Sequence, residues 1–366
     1  MSTPESGPPA PRRTGGQADG SAPDDRFGDD VVLTERSPEE RAEARAARER
    51  RRRRRRRHQR RRRLRRVAIT LLVLLALLAT AGFVWLRYTV GGLDRIPGAL
   101  PAGADTPGTT ILLVGSDPGA HDEVASGATW RQDLRHSDLV MLVHLPADRQ
   151  SIYAISVPGK TELRLPGQRG ALGEARGSTA YVRALEQATG VQVDRLAVMD
   201  LNALREIVDE LDGVTAQLSG TGCGVGPGPR RLDGQGALEL MRLRPCLPHG
   251  DLDRVARQQA VFKALLAQLT EGNTLLNPLR LNRIAKSTFD HLAVNEDWGL
   301  WDMAKIAWSL RGTTPRTTTF LTAPTRTAPD GTITLDPRRA PELWEAVRDD
   351  RVDQYVALNR DTVAGR

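Results

Sequence analysis

The sequence predicts an α/β fold: a central mixed twisted sheet with helices on both faces, preceded by one transmembrane helix and a disordered N-terminal tail. Three observations carry this. Short apolar runs alternate with helical patterns from residue 109 to about 350, which makes a sheet flanked by helices. A run of twenty uncharged residues, 67–86, is long enough to cross a bilayer. Residues 1–49 hold few large apolar side chains and cannot offset their chain entropy by burial.

The formal charge of +8 comes from one place. Arginines 50–57, 60–63, 65 and 66 number fourteen, and without them the chain carries −6. The high isoelectric point therefore describes a tail, and a nucleic-acid-binding surface on the folded part is not expected. The arginine block abuts the apolar run 67–86, VAITLLVLLALLATAGFVWL, while Trp85 and Tyr88 sit at its far end. By the positive-inside rule the N-terminus stays cytoplasmic and residues 87–366 lie outside. Ala79-Thr80-Ala81 resembles a signal-peptide cleavage site. The long preceding segment and the continuing apolar run favour an uncleaved anchor.

The expected organisation is thus a cytoplasmic tail (1–66), a transmembrane helix (67–86), a Gly/Pro-rich linker (87–108), an outer domain (109–350) and a C-terminal tail (351–366). Within the outer domain, 109–114 (TTILLV), 138–145 (DLVMLVHL) and 151–157 (SIYAISV) read as strands. Residues 178–189 read as a helix with Ser178 as its N-cap and Gly190 at its end. Residues 196–199 form a strand, Asp200 caps a helix over 201–211, Gly213 ends it, and 214–218 is a strand. Helices are expected over 232–241, from Asp251 or Asp253 to about 269, and over 281–292, 298–310 and 341–347. Strands are expected over 317–321 and 332–335.

Four groups of residues invite chemistry. Gly159-Lys160-Thr161, within SVPGKTEL, matches the end of a phosphate-binding P-loop. The glycine that loop needs further back is Ala154, and ELRLPGQRG follows without a helical face, so a nucleotide site is not expected. Asp117 ends the first strand and Asp138 begins the second; an antiparallel pairing would bring both carboxylates to one sheet edge, a place suited to Mg²⁺, although spacing alone favours two turn caps. Arg242 and Arg244 flank Leu243 ahead of Pro245, and in an extended stretch both guanidiniums would point one way. Arg254 and Gln258 share a helical face, with Arg257 and Gln259 beside them. Val255, Phe262, Leu266 and Leu269 form an apolar stripe expected to face the core.

The ordered series ILLVGSD, HSDLVMLVHL, SIYAISVP, LDGV, RLDGQGALELMRLRP and GDLDRVARQQAVFKALL resembles the LytR-CpsA-Psr family. The resemblance runs from about 109 to 269, with a weaker echo to about 350. It implies an α/β domain outside the membrane that moves a glycopolymer from a polyprenyl-diphosphate carrier onto peptidoglycan. It assigns Mg²⁺ (or Mn²⁺) to Asp117 and Asp138, and the diphosphate to Arg242, Arg244, Arg254 and Arg257, with Gln258 assisting. Arg242, Arg244, Arg254 and Gln258 would be its catalytic residues.

This chain departs from the family pattern. Where Pro-Arg-Asp-Thr is usual, it has Pro158-Gly159-Lys160-Thr161. His136 replaces the arginine of Arg-Ser-Asp-Thr, and Pro245 replaces a histidine. A module that binds diphospho-lipid or wall polymer without transferring it is therefore an alternative, and a membrane-bound transcriptional attenuator another. Cys223 and Cys246 bracket the segment leading into the arginine pair, and outside the membrane they are expected to form a disulfide.

Overall fold

A computed structural model describes most of residues 93–359. It leaves out 99, 101–105, 117–136, 138, 166–167, 173–176, 220–223, 244–249, 272–276, 300–301, 303–313 and 315. Before residue 93 only isolated positions are described, and after 359 none. The chain divides into a unit over 1–77 and a second over 78–366, and the sheet and its helices belong to the second.

Among the described residues, seven strands form one mixed sheet. In chain order they are β1 (Asp94–Ile96), β2 (Thr109–Ser116), β3 (Leu139–Leu145), β4 (Ile152–Ser156), β7 (Arg195–Asp200), β10 (Leu292–Asn295) and β11 (Thr318–Thr322). Across the sheet the order is β1-β10-β7-β2-β3-β4-β11. β2 pairs antiparallel with β3 and parallel with β7, while β4 runs antiparallel to β3 and parallel to β11. Strands β2, β4, β7 and β11 therefore share a direction, and their carboxyl ends meet at one end of the sheet. Ligands of open α/β sheets gather at such ends.

The central strands are apolar on both faces because helices cover both. Leu112, Val114, Leu142 and Ile155 face a core shared with α1 (Ser178–Thr189), α6 (Arg339–Arg348) and α7 (Val352–Leu358). Leu139, Met141, Ala154 and Phe320 face the opposite core. That core is completed by α2 (Leu201–Glu210), α3 (Gly234–Arg242), α4 (Asp251–Glu271) and α5 (Pro278–Asp290). Hairpins complete the fold: β5 (Glu162–Leu165) with β6 (Gln168–Ala171), β8 (Val214–Leu218) with β9 (Gly228–Leu232), and β12 (Thr325–Thr327) with β13 (Ile333–Leu335).

Several expectations change. Ser178 is the first helical residue of α1 and not its cap; Gly177 precedes it with no side-chain capping bond. Asp200 does cap α2, accepting from the Asn202 amide, and Asp233 caps α3 through Gly236. Leu232, expected in that helix, ends β9. Asn277 caps α5, whose first residue is Pro278, three residues before the expected start at 281. Part of the expected linker joins the sheet as β1, with Ile96 buried. Part of the expected C-terminal tail folds as α7, which buries Val352 and Tyr355. Both gains are tertiary: a few apolar residues suffice once a sheet edge or core face is there to receive them. The helix expected over 298–310 lies mostly outside the described residues, as do the tail 1–66 and most of 67–86. Among the described residues no helix is long and apolar enough to cross a membrane.

At the end of the sheet opposite the carboxyl ends of β2 and β4, a polar cluster ties the C-terminal helices down. His144 is buried opposite Thr110; one ring nitrogen lies 3.1 Å from Thr110 Oγ1 and the other 2.8 Å from Asp350 Oδ1. Asp350 Oδ2 also accepts from the Ala147 amide at 3.0 Å, and Asp350 takes a positive φ of 55° between α6 and α7. Removing the carboxylate strands a buried imidazole and leaves a residue that tolerates this backbone less well. Asp350→Ala is expected to cost about 2 kcal/mol and roughly 4–8 °C in thermal midpoint, measured by calorimetry.

Candidate functional site

The site is built where β2, β4 and β11 end. Ser116, Ser156 and Thr161 are buried there, as is Ser137, the residue before Asp138. Buried hydroxyls at the carboxyl ends of strands mark a polar floor in an otherwise apolar core. Helix α4 lies over this floor.

Helix α4 begins after Gly250, whose φ is +59° and whose carbonyl accepts the Arg254 amide at 3.3 Å. Its first turns bury polar residues and its later ones apolar residues. Asp251, Arg254, Arg257, Gln258 and Gln259 are all buried, and Ala260, Val261 and Ala264 continue the packed face. Of the expected apolar stripe, Val255 is buried, while Phe262, Leu266 and Leu269 are only half-buried. The polar face of α4 is thus the more enclosed one. Burying a guanidinium without a partner would cost several kcal/mol, so such a face is stable only where charges and hydrogen bonds answer each other.

Among the described residues, two sets of contacts contribute to this. Asp251 Oδ1 accepts a hydrogen bond from Arg254 Nη2 one turn on, with both side chains 3% exposed. Gln259 Nε2 donates to Ser156 Oγ at 2.9 Å and to the Leu321 carbonyl at 2.9 Å, with Thr322 Oγ1 at 3.2 Å. The amide carries two hydrogens, so one is shared. Gln259 thereby fixes α4 to the ends of β4 and β11 together, which sets the height of Arg254 over the floor.

The turn after β4 closes the site on another side. Gly159 is buried and Lys160 exposed, so the two face opposite ways, and Lys160 does not enter the floor. A Cβ on Gly159 would lie 2.8 Å from the Ser137 carbonyl oxygen and 3.8 Å from Arg254 Nη2. The segment then runs through Thr161 into the hairpin β5–β6, where a P-loop would enter a helix and hold phosphate on its N-terminus. The P-loop resemblance of Gly159-Lys160-Thr161 is accidental.

Of the residues named from sequence, Arg254, Arg257 and Gln258 come together on one buried helical face. Arg242 is the last residue of α3 and partly exposed, with Leu243 extended after it at ψ 122°. The stretch flanking Leu243 is therefore helical on one side, and the alternation expected for an extended strand does not hold at Arg242. Arg244, Cys223 and Cys246 lie outside the described residues. So do Asp117 and Asp138, but their strands pair as expected, with Gly115 opposite Leu139. This pair sits in the middle of the sheet, not at its edge. Among the described residues no group of three or more His, Cys, Asp or Glu is arranged to hold a metal. What sequence reading missed is Asp251, taken for a cap. It also passed over Lys263, one turn beyond Gln259, whose ammonium lies 5.7 Å from the Phe320 ring centre. Burial pushes the Lys263 ammonium below its ordinary range.

A model of the LytR_cpsA_psr family matches residues 98–348, well over half of the chain. The chain belongs to the LytR_cpsA_psr family. Among curated relatives it is similar to the cell wall biosynthesis protein LcpA of Corynebacterium glutamicum, with 28% identity over 268 residues, 61% of this chain and 51% of that one. It is also similar to the probable cell wall biosynthesis protein LcpB of the same organism, with 31% identity over 57% of this chain and 53% of that one. The chain spans about half the length of these curated relatives. The fold matches that of the LytR-Csp2A-Psr enzyme from Actinomyces oris, at a TM-score of 0.56 and 21% identity, covering 70% of this chain and 96% of that one. It also matches TagV of Bacillus subtilis, at a TM-score of 0.51 and 17% identity, covering 68% and 98%. The family's expected mixed sheet with helices is the fold found here.

Proposed function

We propose that this protein is a membrane-anchored phosphotransferase that attaches a glycopolymer from a polyprenyl-diphosphate carrier to peptidoglycan. The observation that carries the reading is the buried polar face of α4, where Arg254, Arg257 and Gln258 are enclosed beside Gln259, which bonds to the carboxyl ends of β4 and β11. The names of relatives point the same way. A relative in Oceanobacillus iheyensis, 25% identical over 39% of this chain, is called a polyisoprenyl-teichoic acid–peptidoglycan teichoic acid transferase.

The chemistry asked of such a site is modest. A hydroxyl of the acceptor attacks the sugar-side phosphorus, a phosphodiester forms, the P–O–P bond breaks, and polyprenyl phosphate leaves. Catalysis of phosphoryl transfer is mostly positioning and charge neutralisation. Guanidiniums of Arg254 and Arg257 orient the diphosphate oxygens, joined by Arg242 and Arg244, and the Gln258 amide adds a neutral donor. Helix α4 and the β4–β5 turn exclude water from two sides. Asp117 and Asp138, next to paired strand ends, would hold Mg²⁺ or Mn²⁺, which supplies further neutralisation of the diphosphate. Among the described residues, Asp251 Oδ2 on α4 is a buried carboxylate oxygen without a hydrogen-bond partner. The apolar run 67–86 would anchor the chain with its N-terminus in the cytoplasm, so that the site meets lipid-linked substrate outside.

The test uses the full-length chain in detergent with a polyprenyl-diphosphate-linked glycan and a peptidoglycan fragment. Release of polyprenyl phosphate and the joined product are followed by mass spectrometry. Release is expected to need Mg²⁺ and to fall about 100-fold in Asp117→Ala and in Asp138→Ala. Undiminished release in both variants would remove the metal assignment. Binding of the lipid with no release at any Mg²⁺ concentration would make the protein a binding module.

A further inference from the structure

Asp251 is a carboxylate on the buried face of α4, and the reaction proposed above gives it no task. Its Oδ1 is bonded to Arg254, while its Oδ2 is buried and has no hydrogen-bond partner. An unpaired buried carboxylate oxygen is costly in a folded protein, and here it stands on the helix turn that carries the arginine of an anion site. A carboxylate in that place does two things. It neutralises Arg254 while no ligand is bound, and it repels any anion that arrives without a cation.

We propose that Asp251 is a specificity-determining residue: it makes the site take a diphosphate accompanied by a divalent cation and reject the bare anion. This rests on the phosphate-binding reading above. Like charges held a few ångströms apart in a partly buried site repel strongly enough to discriminate by more than about tenfold. A cation on the diphosphate removes the repulsion and gives Oδ2 a charge, or a cation-bound water, to face. Without such a ligand, Asp251 holds Arg254 through Nη2, the nitrogen that lies 3.8 Å from where a Cβ on Gly159 would stand.

An isosteric amide separates this role from simple support. In Asp251→Asn the amide oxygen can still accept from Arg254, while the unpaired acceptor is replaced by an N–H donor suited to phosphate. Binding of inorganic pyrophosphate to the full-length chain is measured by calorimetry, with and without Mg²⁺, alongside the thermal midpoint. For the wild-type chain, Mg²⁺ is expected to tighten binding by at least about tenfold. For Asp251→Asn, metal-free binding is expected to tighten about tenfold and the gain from Mg²⁺ to shrink by a similar factor. Asp251→Ser, smaller and neutral, is expected to shift the Mg²⁺ gain the same way and serves if the amide variant does not fold. Weaker binding in folded variants, with the Mg²⁺ gain unchanged, would show that Asp251 only props Arg254 and would overturn the proposal. Equal wild-type affinities with and without Mg²⁺ would overturn it whatever the variants do. If wild-type and Arg254→Ala bind pyrophosphate alike, the phosphate site itself is wrong, which is a separate failure.

Discussion

Arg254→Lys is expected to lower polyprenyl phosphate release by at least about tenfold, and Arg254→Ala by about 10²–10³-fold. The arginine is 2% exposed, on the first turn of α4, bonded to Asp251 and against the Gly159 turn. A planar fork can hold Asp251 on one edge and offer another edge to a phosphate oxygen; an ammonium is a single point and must choose. Losing one pre-aimed donor to a developing phosphate charge costs about 2.7–4 kcal/mol in a water-excluded site. Alanine also leaves the Asp251 carboxylate buried and unpaired, a penalty of about 3–5 kcal/mol on the fold. The lysine variant keeps a charge beside Asp251 and reads the geometric part alone. Rates are compared at matched thermal midpoints, by mass-spectrometric release and calorimetry. Lysine activity equal to wild type would reduce Arg254 to a point charge.

What is legible in the sequence depends on how much each residue needs from distant parts of the chain. β2, β3 and β4 are strands in almost any context, because Leu112, Leu142 and Ile155 sit in runs of apolar residues bounded by turn residues. Helices α1 and α2 end at Gly190 and near Gly213, as their patterns require. β9 is different. Its sequence, GPRRL, is largely exposed and has no strand signature; it is extended because β8 lies beside it. β10 follows α5 at once and looks like more helix until the β7 edge receives it. The site divides along the same line. Arg254 and Gln258 are four apart, and any helix places them together. Asp251 at the start of α4 has the signature of a residue that satisfies helix amides. Nothing local shows that its carboxylate is enclosed and turned to an arginine, because the enclosure comes from β4, β11 and the turn after β4. Gln259 carries no motif of its own, yet its three acceptors come from β4 and β11, sixty and more residues away in either direction.

The departure at Gly159 and Lys160 admits a sharper expectation than that of a thinned phosphate grip. Restoring the family residues with Gly159→Arg and Lys160→Asp is expected to lower activity by about tenfold or more and to destabilise the chain by about 1–3 kcal/mol. Any Cβ at 159 meets the Ser137 carbonyl oxygen at 2.8 Å, closer than real Cβ atoms come, and that carbonyl belongs to backbone leading into β3. Backbone must therefore move, and it is the backbone that carries Asp138 into the strand. Beyond its Cβ, a longer side chain would press toward the space held by Arg254 Nη2. The new aspartate would replace exposed Lys160 and put its charge on the outer side of the turn. In this chain glycine lets the turn after β4 sit directly on Ser137 and lets α4 bring its own guanidinium to the wall. Gly159→Ala isolates the steric part: it adds one carbon and no charge, and is expected to lose most of what the double variant loses. The comparison is read as release rate and thermal midpoint for the single and double variants. A double variant faster than wild type would mean that the missing arginine is a real deficit, and would return the protein to the reading of a binder that has lost its chemistry.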